Sequence, residues 1–374
     1  MINSRNLIYT NILDLTVNLR ASNGVTSFVM SYFRKLDPTK VQMDFVLMND
    51  VPSPYYDEIT ERGSKIFILP SINNVYHHYQ KCKKILRDGN YDVVCDNHLT
   101  KSIPMMHAAK KCGVPVRILH SHNTKLSASI KKERITKLLL PLLKREITDY
   151  CACGQLAGEA LFGKAKFTVI PNVISPETNT FDKVKRDKIR KELGVDDKVV
   201  VGTVGRTSIQ KNPYFAIDVI EKVHQSNSSI VYWWIGSGEL DDQLRAYVEK
   251  KGLGKVVSFL GSRDDVQDLY QAMDVFFLPS LFEGLPLAGV EAQAMGLPSI
   301  LSASITDELV YTDLVKYVSL DEPIEEWEKA FKKALERIPQ RRAYTGELKR
   351  SVYSAEDAGK NMTNIYKRFL KLKK

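Results

Sequence analysis

Much that would mark this chain as anything but an ordinary globular protein is missing. Its 374 residues hold five cysteines, Cys82, Cys95, Cys112, Cys151 and Cys153. An odd, scattered set with no Cys-x-x-Cys excludes a disulfide framework and predicts reduced, structural thiols. No apolar run approaches the roughly 20 residues that span a bilayer. The first residues carry no continuous apolar signal-peptide core, so a cytoplasmic location is expected. A Gly-x-Ser-x-Gly elbow and a phosphate loop ending in Gly-Lys-Ser/Thr are both absent, which removes the usual support for hydrolase and phosphotransferase chemistry. Internal repeats and low-complexity segments are also lacking.

What remains is a soluble composition, 44% hydrophobic and 26% charged, with a net charge of +10. That charge calls for an acidic partner: nucleic acid, an anionic membrane or a phosphorylated substrate. Nucleic acid gets no further support, because no basic stripe with stacking aromatics stands out. Apolar runs at Leu7–Tyr9, Met43–Met48, Lys65–Leu69, Tyr91–Cys95, Val116–His122, Asp149–Cys153 and Phe167–Ile170 alternate with helix-period segments. A second alternating set starts at Val199–Val204 and continues through Ile230–Ile235, Val256–Leu260, Val275–Leu278, Ser299–Leu301 and Tyr317–Val318. Alternation of this kind predicts an α/β fold of two doubly wound parallel sheets. The Pro, Asn, Thr and charged residues between them read as a linker. Asn23-Gly24 reads as a strand-to-helix turn, Asn212 as an N-cap ahead of Pro213, and Ser262 with Asp265 as a capping box.

The most informative stretch is Pro279 to Pro298, PSLFEGLPLAGVEAQAMGLP. A buried strand runs into a loop and then a short helix ended by Gly296 and Pro298. Glu283 precedes the helix and Glu291 lies within it. The free N–H groups at such a helix start suit a phosphate-bearing ligand, and the acids beside it suit hydroxyls; solvated surface acids are the plainer reading. The second domain opens with VGTVGRTSIQKNP, where Gly205, Arg206 and Lys211 could receive a diphosphate or could be a solvated basic face. Gly236-Ser237-Gly238 is only part of a dinucleotide fingerprint, since Asp241 stands where the next glycine belongs. His120 and His122 could be a metal pair by spacing or a ligand contact by position, and two ligands are too few for zinc.

Taken together, PS-x-FEG, the Glu, seven residues, Glu spacing and EAQA-x-G-x-P resemble the signature of the family-4 retaining glycosyltransferases of GT-B fold, especially those of bacterial capsule and exopolysaccharide assembly. The resemblance covers nearly the whole chain. It implies two Rossmann-like domains facing each other across a cleft: 1–175 binding acceptor, a linker at 176–188, 189–354 binding donor, and a terminal helix in 355–374 crossing back to the first domain. It also implies that Glu291 holds the ribose hydroxyls and Glu283 the donor sugar. Arg206 and Lys211 would take the diphosphate, with Leu287, Ala288 and Gly289 at the helix start. Gly24, Gly205 and Gly236 would give backbone room, Ser262 and Arg263 would lie at the base, and His122 would bond the sugar near the reacting carbon. Two departures are visible: Leu285-Pro286 replace Phe-Gly, and only Gly24 remains of a glycine pair. The other large glycosyltransferase fold class holds a metal through Asp-x-Asp, which does not occur here. The expectation is therefore no cofactor and no metal, with the nucleotide-sugar as substrate.

The implied reaction moves a sugar from a nucleotide donor, a UDP-sugar, with retention, to a hydroxyl of a glycan or lipid-linked saccharide in cell-surface polysaccharide synthesis. A nucleotide-sugar epimerase or other GT-B enzyme without a glycan acceptor, and a non-catalytic GT-B partner subunit, are the alternatives. Finally, Lys125–Ile147 sets Ile135, Leu138, Leu139, Leu142 and Leu143 at helical spacing among lysines and arginines. This is the pattern of a helix lying on an anionic membrane, or of one packing its leucines on the sheet.

Overall fold

Each apolar run long enough to be buried on both faces becomes a strand, and the amphipathic segments between become covering helices. The computed structural model describes residues 10–16, 18–19, 24–126 and 129–373. The run expected at Leu7–Tyr9 and the residue Asn23 lie outside these.

The chain divides into two compact units, residues 1–173 with 355–374, and 174–354. In the first unit the order is β1 (Thr10–Thr16), α1 (Gly24–Lys35), β2 (Val41–Leu47), α2 (Tyr56–Glu61), β3 (Ile66–Ile68), α3 (Val75–Gly89), β4 (Val93–Asp96), α4 (Ile103–Lys111), β5 (Val116–Ser121), α5 (Ile130–Lys144), β6 (Asp149–Ala152), α6 (Gln155–Phe162) and β7 (Thr168–Val169). The second contains α7 (Lys183–Leu193), β8 (Val199–Val204), α8 (Pro213–Ser226), β9 (Ile230–Ile235), α9 (Asp241–Lys250), β10 (Val257–Gly261), α10 (Val266–Ala272), β11 (Val275–Leu278), α11 (Leu287–Ala294), β12 (Ser299–Ser302), β13 (Val315–Val318), α12 (Ile324–Leu335) and α13 (Thr345–Arg350). The last helix, α14 (Ala358–Lys371), belongs to the first unit.

The two sheets have strand orders β3-β2-β1-β4-β5-β6-β7 and β10-β9-β8-β11-β12-β13, with every pairing parallel. Each order reverses direction once, between β1 and β4 and between β8 and β11. Loops that leave neighbouring strands at such a point diverge and open a crevice at the carboxyl ends.

Helix α1 buries Phe28, Val29, Tyr32 and Phe33 in a core shared with Met362, Tyr366 and Phe369 of α14. The two helices touch closely at Gly359, where a Cβ would stand 1.8 Å from the Lys35 carbonyl oxygen. Helix α5 sends Leu143 into the opposite core, while Ile135, Leu138 and Leu142 are exposed, so packing on the sheet accounts for only part of its apolar stripe.

Three local expectations are corrected. From Lys183 the segment read as a linker, 176–188, is helix α7, capped by the Asp182 carboxylate on the N–H groups of Val184 (2.8 Å) and Lys185 (3.1 Å). Its anchor is ionic: Arg186 and Arg190 both reach the buried Asp274, which also accepts the Val200 N–H at 2.8 Å. The Ser262–Asp265 capping box does not form, because the Asp265 carboxylate is engaged by the Arg263 guanidinium at 2.8 and 2.6 Å. Asn212 precedes α8 in the left-handed region (φ 55°), where it turns the chain but makes no side-chain cap.

Gly359→Val is expected to force α14 away from α1 and to cost about 1–3 kcal/mol, the usual penalty for overpacking. Denaturant unfolding with amide exchange along α14 checks this; unchanged stability and protection would contradict the packing described.

Candidate active site

Candidate residues gather at the two reversal points, one group in each unit. In the second unit, the loop after β8 is stitched to its neighbours: the Gly205 carbonyl accepts the Trp234 indole N–H at 2.9 Å, and the Gly236 N–H donates to Gly261 at 2.8 Å. Only glycine fits at 236, where φ is 126° and a Cβ would lie 2.3 Å from the Gly205 carbonyl oxygen. The loop after β11 meets the loop after β8 through Leu281 N–H donating to Gln210 O at 2.8 Å.

Across that junction Lys211 Nζ lies 2.6 Å from Glu283 Oε1, with side chains only 14% and 7% exposed. The Gln210 amide donates to Glu283 Oε2 at 3.1 Å and to the Phe282 carbonyl at 3.0 Å. Arg206, in the same loop as Lys211, is exposed. Leu287, Ala288 and Gly289 form the first turn of α11, in which the Gly289 N–H donates to the Pro286 carbonyl at 3.0 Å. Glu291 follows one turn on and is held by the Tyr270 hydroxyl at 3.0 Å, which also donates to the Ala288 carbonyl at 3.2 Å. Burial raises the Glu291 carboxyl above its ordinary range, with the Tyr270 hydrogen bond opposing.

In the first unit, Gly24 opens α1 and is exposed, with nothing within 4 Å of where a Cβ would stand. One turn on, the Phe28 ring packs edge-on against His120 (4.7 Å) and His122 (5.0 Å), whose own rings are 4.2 Å apart. His122 Nε2 is 2.7 Å from Asn97 Oδ1, and Asn97 Nδ2 is 3.0 and 3.1 Å from the two carboxylate oxygens of Asp14. Burial lowers His122 to about 3, so its ring is neutral at physiological pH. Burial also raises Asp14 and Asp96 to about 7. Among the described residues no group of three His, Cys, Asp or Glu side chains could hold a metal ion, so His120 and His122 gain no third ligand.

Lys211 and Glu283 are thus in direct contact, with Gly205 and Gly236 in the adjoining turns, and Glu291 is held one helical turn after the start of α11. Ser262 and Arg263 are exposed after β10, with Arg263 committed to Asp265. Sequence reasoning passed over Gln210, Tyr270, Asn97 and Asp14. The only signal for Gln210 was its place beside Lys211; Tyr270 and Asn97 stand in no motif.

Two Rossmann-like units, each with its polar groups at the carboxyl ends of the strands, are the architecture of the GT-B glycosyltransferases. Residues 185–350 match the model of the family "Glycosyl transferases group 1". The chain is 31% identical over 356 residues to the Bacillus subtilis (strain 168) protein named "Putative glycosyltransferase EpsF", covering 92% of this chain and 93% of that one. The chain therefore belongs to the group 1 glycosyltransferases, which bears out the resemblance carried by the paired glutamates. It is also 31% identical over 230 residues, 59% of each chain, to an Escherichia coli enzyme named UDP-Gal:alpha-D-GlcNAc-diphosphoundecaprenol alpha-1,3-galactosyltransferase. Anabaena Alr3699/HepE, crystallised with UDP-glucose, shares the fold with a TM-score of 0.79 at 18% identity, over 96% of this chain and 99% of that one.

Lys211→Met should leave Glu283 buried without its cation and cost about 3–5 kcal/mol, while the double variant Lys211→Met/Glu283→Gln should recover most of it. Denaturant unfolding of the double-mutant cycle measures this, and additive losses would refute the coupling.

Proposed function

We propose that this glycosyltransferase uses a UDP-sugar and passes the sugar, with retained anomeric configuration, to a hydroxyl of a lipid-linked saccharide in cell-surface polysaccharide synthesis. The observation that carries the donor half is the buried Lys211–Glu283 contact, with Gln210 on its second oxygen and Glu291 held beside the start of α11. An incoming diphosphate takes Lys211 and the exposed Arg206, and Glu283 is released to accept from sugar hydroxyls. The α11 N–H groups add fixed positive dipole ends, and Glu291 accepts from the ribose hydroxyls. As the bond to the diphosphate breaks, charge grows on the leaving oxygen, and the two cations stabilise it without a metal. Neutral His122 adds a hydrogen bond near the reacting carbon. No protein nucleophile is assigned; the site acts by positioning and by stabilising the leaving group. UDP-glucose in the HepE crystal and the UDP-Gal and diphosphoundecaprenol in the name of the E. coli relative support this choice of donor and acceptor.

The acceptor half includes a surface. Helix α5 exposes Ile130, Ile135, Leu138 and Leu142, with Lys131, Lys132, Arg134 and Lys137 exposed on the same helix. A recess of about 430 Å³ lined by Lys137, Leu140, Pro141, Lys144 and Arg145 adjoins them. No helix among the described residues is long and apolar enough to cross a membrane, so attachment is peripheral: the leucines enter the headgroup region and each cation near an anionic surface adds about 1 kcal/mol.

A screen of nucleotide-sugars by released nucleoside diphosphate, with and without lipid-linked saccharides, is expected to select a UDP-sugar and to proceed in the presence of chelator. Activity lost to chelator and restored by magnesium or manganese would overturn the metal-free reading, and diphosphate release indifferent to acceptor would favour another reaction. In vesicle cosedimentation the protein is expected to bind anionic over neutral lipid. Equal binding to both, or binding kept after Lys131, Lys132, Arg134 and Lys137 are all changed to Glu, would remove the membrane surface from the proposal.

A further inference from the structure

We infer that Asn97 is a positioning residue that holds His122 as the Nε2–H tautomer and so presents its bare Nδ1 to the donor sugar as a hydrogen-bond acceptor. The inference rests on the reading above that His122 contacts that sugar. It follows from what each atom can do. Above the value of about 7 to which burial raises Asp14, its carboxylate is ionised and has no proton to give, so there the group of Asn97 that faces both its oxygens, at 3.0 and 3.1 Å, has to be the NH₂. That fixes the direction of the amide by chemistry. The Asn97 Oδ1 then faces His122 Nε2 at 2.7 Å, and an amide oxygen only accepts, so Nε2 carries the hydrogen. The ring is neutral, so Nδ1 keeps a lone pair; among the described residues it has no hydrogen-bond partner.

The rings on either side hold this orientation. His120 lies at 4.2 Å with planes 33° apart, and Phe28 at 5.0 Å meets the imidazole edge-on. The elements agree with the sheet order: Asp14 is on β1 and Asn97 directly follows β4, its neighbour, while His122 follows β5, the strand after. Asp14 to Asn97 to His122 is therefore a chain across three adjacent strands, ending where the reversal point opens. A histidine set this way accepts from a sugar hydroxyl and repels a carboxylate at the same position, which gives the site a preference among donors.

The test uses full-length protein labelled with ¹⁵N-histidine, at about pH 8, above the value of about 7 to which burial raises Asp14. Two-bond ¹H–¹⁵N correlation spectra, with the His122 signals identified by their loss in His122→Ala, are expected to show a protonated Nε2 and a bare Nδ1. Asn97→Leu is expected to shift His122 towards a tautomer mixture and to lower kcat at least about tenfold, since a histidine in the wrong tautomer loses far more than that in other enzymes. A protonated Nδ1 in the unmodified protein, or an unchanged His122 pattern in Asn97→Leu, overturns the inference. Full transfer activity in His122→Ala overturns instead the donor contact beneath it; the two failures are distinct, because the unmodified protein's spectrum does not depend on activity.

Discussion

The Lys211–Glu283 ion pair is the interaction on which the second unit's functional end depends. Both side chains are nearly out of water, so each charge is offset by the other, and Gln210 donates to the second carboxylate oxygen. The pair joins loops from β8 and β11, the two strands between which the sheet reverses, and so keeps the crevice in one shape before anything enters it. A ligand that displaces the carboxylate from Lys211 must return as much as it takes, which a diphosphate can do and a neutral molecule cannot. The glycine turns serve the same junction: Gly236 lets the loop after β9 come within contact of Gly205, and a side chain there would push the two apart.

A second ionic hub supports this from behind. Asp274, just ahead of β11, ties α7 through Arg186 and Arg190 to the start of β8 through the Val200 N–H. The half-buried Arg341 guanidinium donates to the carbonyls of Tyr270, Gln271, Met273 and Met295, closing the C-terminal end of α10. Tyr270, whose hydroxyl holds Glu291, therefore sits on a helix whose end is fixed by a separate cation. Arg341 thus contributes, through Tyr270, to where the Glu291 carboxylate stands.

The strands were legible because a parallel sheet buried on both faces requires continuous apolar runs, and Val275–Leu278 or Ile230–Ile235 leave no other choice. The two acids and the loop lysine were singled out by resemblance to a family signature and not by local pattern, and the fold brings one of the acids, Glu283, into contact with Lys211. Helix α7 was not legible, since KVKRDKIRKEL buries little beyond Ile189 and Arg190 and so has no apolar period to read; its attachment is an aspartate far along the chain. The same reason hid Tyr270 and Asn97. A hydrogen bond between residues on different strands leaves no trace in local pattern, and only the sheet order brings Asn97 between Asp14 and His122.

The chain leaves the first unit after Val173 and re-enters it at Ala355, with Ile174 and Ser354 bridged side by side at the passage. A ribosome releases residues in order, so the second unit has all its residues in solution before the first has received α14. Until then Phe28, Tyr32 and Phe33 lack the cover of Met362, Tyr366 and Phe369. The unit begun first is thus the one completed last, and a chain halted late in translation would carry a finished second unit and a first unit whose apolar core is still open to solvent.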